Sequence, residues 1–392
     1  MMKHHRKLLL AGKIILAAGL LTWVLSRVHY HDYVVDRQGR SWAVLETVGD
    51  QPEAPTVVVR TGWGWWAQRQ MRPLNEFEPA QGSRQVIRPG LASNLRGLHP
   101  VVLAASVGAY ILSLPVLAVR WLVLLNIQQV RIGLREALRL TLLGQFFNAV
   151  APGTVGGDLA KAYYVARSTH RRAAALLSIL VDRLLGLSEL ALLAAVMVGL
   201  MLAAGLADWP ELRLPAALAG VAVAAVAAAL AVVLSPRLRA ALRLQRLLER
   251  LPLARQLASL SEAARAFARR PGRLVLAVAI TSLAHLCWIS SIWLAGLALN
   301  LPAAWYQYFL YIPLIYIIGA VPLTPGGIGL IEQFYLLFFV SAATTPSMVL
   351  ALALLARLVP IVCGLPGVLV LVSGPRPPSE RLMEQELGVE RA

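Results

Sequence analysis

Six charged residues lie in or beside apolar segments of this chain: Asp158, Lys161, Asp182, Arg183, Glu332 and Arg357. An ionised side chain at bilayer depth costs about 2.5–3.5 kcal/mol on the gentlest scale, so such residues mark a functional interior by default. Arginine and lysine there can neutralise an anion, whereas carboxylates can orient those cations, carry protons or hold a cationic group. Asp158 and Lys161 are i,i+3 neighbours and can share one helix face, although aspartate at that place also suits a helix N-cap. Asp182 and Arg183 point about 100° apart on a helix and therefore want different partners. Glu189 follows Asp182 by two turns and extends the polar stripe. Arg120 and His285 read as structural, one snorkelling to an interface and the other a hydrogen-bonded core histidine.

Two loops frame these charges. Pro152, Thr154, Gly156 and Gly157 are matched by Pro322, Thr324, Gly326 and Gly327, a shared P-x-T-x-G-G. Further on, Arg183 in one apolar run is answered by Arg357 in another. Pro and Gly inside an apolar segment release backbone groups from helical bonding, which is tolerated only within protein or beside a water-filled cavity. Gly156, Gly157, Gly326 and Gly327 let a ligand approach the backbone, and the helices starting after them offer free N–H groups to an anion. Ordinary turns between complete spans would carry the same residues.

The elements that position these groups are membrane helices. The 392 residues are 58% hydrophobic and 15% charged, with a mean hydropathy of +0.65. A soluble domain is about 25% charged. Residues 176–206 hold three charges and 214–234 none, each long enough for a core that needs about 20 residues. Full spans are expected at 8–28, 100–125, 173–206, 214–234, 274–299 and 348–372. Two broken hairpins, 138–167 and 305–340, have arms marginal for a complete crossing and suit re-entrant folding. The first apolar run exceeds a signal-peptide core and lacks a small-x-small site after it, which favours a retained helix. Residues 29–99 are polar, with β-like runs at 33–35, 41–48 and 56–60, and predict a small β-domain. The Trp63, Trp65, Trp66 cluster suits either its core or an interfacial anchor.

The formal charge of +17 sits beside apolar runs and no nucleic-acid motif frames it, so it reads as topology. Residues 235–273 hold ten arginines against two glutamates and are expected on the cytoplasmic side, lying on anionic headgroups. Counting spans from there puts both termini in the cytoplasm and the β-domain outside. The two hairpins then enter from opposite sides, an inverted repeat, and paired broken segments of this kind point to a transporter's binding site. Cys287 and Cys363 fall in spans and form no metal-ligand spacing; no cofactor, metal or catalytic residue is expected.

At these residues the chain resembles the lysylphosphatidylglycerol synthase transmembrane region, a family of flippase-like membrane proteins. The resemblance rests on Pro152 with Gly156-Gly157-Asp158, on Asp182-Arg183 with Gly186, and on Thr324 to Gly329 with Glu332, and it spans roughly 98–372. It departs at Lys161, where the family usually has arginine, and in residues 29–99. No aminoacyltransferase domain follows residue 372, so lysine transfer is not carried over. The resemblance implies an all-α polytopic protein of a bacterial-type plasma membrane that moves lipid between leaflets. Its partner would be an anionic or aminoacylated phospholipid, or a polyprenyl-phosphate lipid, and a homo-oligomer is compatible with it. Gly156, Gly157, Asp158, Lys161, Asp182, Arg183, Gly326, Gly327, Glu332 and Arg357 are the expected substrate-binding residues. A lipid-headgroup-modifying enzyme and a membrane scaffold without transport are the alternatives.

Overall fold

A computed structural model describes residues 2–48, 56–61, 68–79, 86–130, 132–150, 156–168, 172–234, 238 and 271–373. The tryptophan cluster at 63–66, the loop 151–155, nearly all of the basic segment 235–270 and the tail 374–392 lie outside the described residues.

The chain opens with α1 (Met2–Ser26) and continues into five strands, β1 (Tyr33–Asp36), β2 (Ser41–Val48), β3 (Thr56–Thr61), β4 (Gln68–Pro73) and β5 (Phe77–Glu78). They pair in the order β4-β3-β2-β1-β5, antiparallel throughout. Alternation of Val57 and Val59 places both on the face that buries Val34 and Phe77. A bend in the β2–β3 register falls between Val44 and Glu46. The polar strand β4, Gln68–Pro73, was not expected; it is a largely exposed edge strand, so no buried face imprints a period-2 pattern on it. After the sheet come α2 (Leu91–Arg96) and the helices α3 (Pro100–Ile127), α4 (Leu134–Val150), α5 (Gly156–Ser168), α6 (Arg172–Ala203), α7 (Trp209–Leu234), α8 (Pro271–Ala298), α9 (Trp305–Ala320), α10 (Leu330–Phe339), α11 (Pro346–Gly364) and α12 (Gly367–Ser373).

Five of these helices are long and apolar enough to cross a membrane: α3, most of α6, α7, α8 and the α11–α12 stretch. The protein is a multi-pass membrane protein of mainly helical fold with a β-sheet near its N-terminus. The apolar part of α1 that is described, Ala11–Ser26, is shorter than the others. Both expected breaks exist, separating α4 from α5 and α9 from α10. Thr345 caps α11 by accepting a hydrogen bond from the Met348 N–H, with Pro346 following at the first helical position.

The helices pack in two matching sets. Within the first, α3 packs on α4, α4 on α5, and α5 on α6. Within the second, α8 packs on α9, α9 on α10, and α10 on α11. Across the sets α4 meets α11 and α9 meets α6, while α3 and α8 share the broadest contact. Helix α7 lies outside this scheme against α6 and α9, and leaves Leu214, Val221 and Val223 exposed to the bilayer.

Helix α1 belongs to neither set. It lies against α10 and the turn before it, and Val24 is fully buried beside Ile331 and Tyr335. The approach is close enough to involve backbone: a Cβ added to Gly329 would sit 2.8 Å from Leu20 Cβ and 2.9 Å from the Ala17 carbonyl. Gly329 also holds φ +78°, a conformation that other residues adopt at a cost of about 1–3 kcal/mol. Gly329→Ala is therefore expected to destabilise the protein by about 2 kcal/mol or more, seen as a lowered thermal transition. Gly19→Ala, where nothing lies within 4 Å of the new methyl, is the control and should change little. Beyond α1, the His29 N–H donates to Ser347 Oγ at 3.1 Å and so ties the sheet to the start of α11.

Candidate functional site

Two arginines are held in the same way. Helix α5 begins at Gly156 and α10 at Leu330, so Asp158 and Glu332 are each the third residue of their helix. From each acid the chain runs 25 residues to an arginine on the next long helix, Arg183 on α6 and Arg357 on α11. In both cases the guanidinium Nε donates to the carboxylate, Arg183 to Asp158 and Arg357 to Glu332. Asp158 thus lies inside the first turn of its helix rather than capping it.

The second pair serves its loop. Arg357 spends its other nitrogens on the carbonyls of Gly326 and Gly327, at 3.2 and 3.0 Å. The other carboxylate oxygen of Glu332 accepts the Gly329 N–H at 2.7 Å and closes the start of α10. Gly326 and Gly327, with φ of +62° and +67°, turn their carbonyls to this one guanidinium. Gly326, Gly327, Glu332 and Arg357 therefore form one compact clamp.

The first pair faces a cavity of about 420 Å³, within the size range of small-molecule sites. Asp158, Asp182 and Arg183 line it, as does Arg120. Helices α3, α4, α5, α6, α8, α9 and α11 all contribute to its walls, and along α3 it reaches from Tyr110 to Arg120, about 15 Å at helical rise. Arg120 is not a snorkelling residue: it is 7% exposed and donates through Nη2 to Asp182 at 2.6 Å. The nitrogen Nε of Arg120 and the second oxygen of Asp182 are buried and have no hydrogen-bond partner among the described residues.

Lys161 lies behind this wall. Its ammonium sits 5.3 Å from the ring centre of Trp121 and its stem packs against Gly144. Among the described residues it makes no salt bridge. Gly157 serves packing rather than ligand approach: its N–H donates to the Asn148 side chain at 2.9 Å, and a Cβ there would collide with the Gly144 carbonyl. Gly156 opens α5 one residue earlier. In the cavity wall Arg120 meets Asp182 and Arg183 meets Asp158.

The facing wall adds groups whose meeting the sequence did not reveal. His285 Nδ1 hydrogen-bonds Glu189, joining α8 to α6, and His285 lines the cavity. Gln145 reaches the Tyr110 hydroxyl at 2.9 Å, and Trp288 stacks edge-on against Tyr316. Arg120, in the middle of an apolar run, carried the signal that was available. Glu189 and His285 are 96 residues apart, and no local period joins them.

On the side that carries the sheet, the cavity ends at a closed seam. Ser106, Tyr110, Ser291 and Ala295 line a crevice with no room for water. There Ser106 Oγ donates to the Ser291 carbonyl at 2.7 Å, with the two hydroxyls 3.3 Å apart.

No curated protein matches the chain. Residues 90–367, which hold both arginine pairs, the cavity and the seam, match the family described as lysylphosphatidylglycerol synthase TM region. With 278 of the 392 residues inside that match, the protein belongs to the lysylphosphatidylglycerol synthase transmembrane-region family.

Proposed function

We propose that the protein is a lipid translocase of the plasma membrane, flippase- or scramblase-like, which carries an anionic or aminoacylated phospholipid or a polyprenyl-phosphate-linked lipid between leaflets. The observation that carries this reading is the cavity of about 420 Å³ walled by spanning helices, with Arg120, Arg183, Asp158 and Asp182 in its lining. Two guanidinium groups in one cavity wall suit a phosphodiester. Arg183, Arg120 and Lys161 supply the positive field. Asp158 and Asp182 orient the two arginines, or receive the amine of an aminoacylated headgroup. Gly326, Gly327, Glu332 and Arg357 act as the clamp that shapes the second hairpin, and Gly156 and Gly157 fit α5 against α4.

The matching helix sets support an inverted repeat. Exchange of α4–α11 for α9–α6, about a common α3–α8 contact, is what a two-fold relation between the sets would produce. Helices of 16 and 10 residues, about 24 and 15 Å long, favour a re-entrant second hairpin in a core of about 30 Å. The arginine-rich segment 235–273 would then lie in the cytoplasm with both termini, and the sheet outside.

A headgroup-modifying enzyme is the second reading, since the Glu189–His285 hydrogen bond at the cavity wall has the form of an acid–base pair. Proteoliposomes separate the two. Translocation predicts that a fluorescent anionic lipid changes leaflet faster than in empty vesicles, with its mass unchanged. A new lipid mass formed only with active protein, and no leaflet exchange, would establish the enzyme instead.

A further inference from the structure

A second cavity, of about 390 Å³, lies where the sheet meets the membrane helices. Its walls come from the strand-like segment 87–89, from α2, from the turn after α8 and from the start of α11. Among the described residues that line it, Arg88 is the one that is charged, and none is a carboxylate. The Arg88 backbone is fixed by reciprocal hydrogen bonds with Tyr33, of 2.8 and 3.0 Å. Arg88 Nε is buried and has no partner among the described residues.

Other polar groups complete the wall. Ser93, Asn300 and Thr345 line the cavity with an arginine in their midst, and α11, a helix of 19 residues, turns its positive end here. Asn94 is already committed to the carbonyls of Pro89 and Gly90, so it shapes the wall and does not offer its amide N–H groups. Within one turn of the cavity along α3 and α8, Val101 and Leu297 are exposed apolar residues that acyl chains can cover. A concave surface with one arginine, two hydroxyls and an apolar flank, and with no carboxylate among its described lining residues, has the chemistry of a phosphate-bearing headgroup site.

We infer that this cavity binds the phosphate-bearing headgroup of a lipid in the leaflet on the sheet side. It is distinct from the central cavity, which lies beyond the closed Ser106–Ser291 seam. The inference goes beyond translocation and is read by binding, so it can hold or fail whether or not lipid crosses.

The test uses the full chain in detergent, with Cys287 and Cys363 replaced by alanine and exposed Ala343, which lines the cavity, replaced by cysteine. The rate of maleimide labelling at that position is followed with dihexanoyl phosphatidylglycerol, glycerol phosphate or a neutral glucosyl lipid of equal chain length. Phosphatidylglycerol is expected to slow labelling and the glucosyl lipid to leave it unchanged. Arg88→Gln should raise the protecting concentration roughly tenfold or more, with Arg88→Lys falling between, for proteins of matched thermal transition. Protection by phosphatidylglycerol alone assigns a bilayer lipid, and equal protection by glycerol phosphate shows that the phosphate headgroup suffices; both support the site. Equal protection by the glucosyl lipid, no protection by any probe, or full protection in Arg88→Gln would overturn it.

Discussion

An Arg183→Ala protein is expected to move no lipid above the background of empty vesicles, while melting close to the parent. Arg183 lines the central cavity, and its side chain is 35% exposed, so its loss leaves a solvated gap rather than a void in packed core. The consequence for an anion is larger. One cation leaves the wall, and Asp158 loses its guanidinium partner there. Loss of a charge-assisted contact of about 2–3 kcal/mol, with a carboxylate newly presented, corresponds to a hundredfold weaker headgroup or more. Arg357→Ala provides the contrast. It orphans Glu332 at 6% side-chain exposure and releases two glycine carbonyls, so its first effect is on stability, about 3 kcal/mol or more. Thermal melts and leaflet exchange on the two single variants separate these roles. Parent-like transport by Arg183→Ala would remove the central cavity from the mechanism.

Cross-linking the seam should stop transport reversibly. The hydroxyls of Ser106 and Ser291 stand 3.3 Å apart across α3 and α8, close enough for a cysteine pair there to reach disulfide geometry with small adjustment. Those helices share the broadest contact of the two sets, and the central cavity closes against them on the sheet side. A headgroup bound beside Arg183 can reach that side only if the two helices part. The oxidised Ser106→Cys/Ser291→Cys protein is therefore expected to lose all leaflet exchange, and a reductant to restore it. Transport that continues at the parent rate with the bond formed, checked by mass, would place the route elsewhere.

Much of this architecture is legible in residue order, because a bilayer imposes a length and an apolarity that a sequence must state openly. Residues 214–234 without a charge admit little but a spanning helix. The two glycine-rich breaks are equally open, since Pro and Gly in an apolar run have few other uses. What stays hidden is anything made by helices meeting. Asp158 and Arg183 were both picked out by depth, yet that they pair, and that Glu332 and Arg357 do so at the same spacing, depends on how α5 and α10 rest against their neighbours. The difference between the pairs is harder still to foresee: one lines a cavity, and the other is absorbed by Gly326 and Gly327. Arg120 was misread because snorkelling and pairing look alike until Asp182 is placed 2.6 Å away. The edge strand β4 left no trace because an exposed strand is under no demand to alternate.

The close fit of α1 on Gly329 bears on the order in which the protein can be made. Helix α1 is synthesised long before the surface it rests on. The pairing of His29 with Ser347 joins residues 318 positions apart. Until α10 has formed, the face of α1 that buries Val24 lacks this partner. Early in synthesis the chain therefore carries an unmatched helix. Contacts of such long sequence separation form late and slowly. A chain that stops short of Gly329 would lack the groove altogether, so the docking of α1 distinguishes molecules that have reached α10 from those that have not.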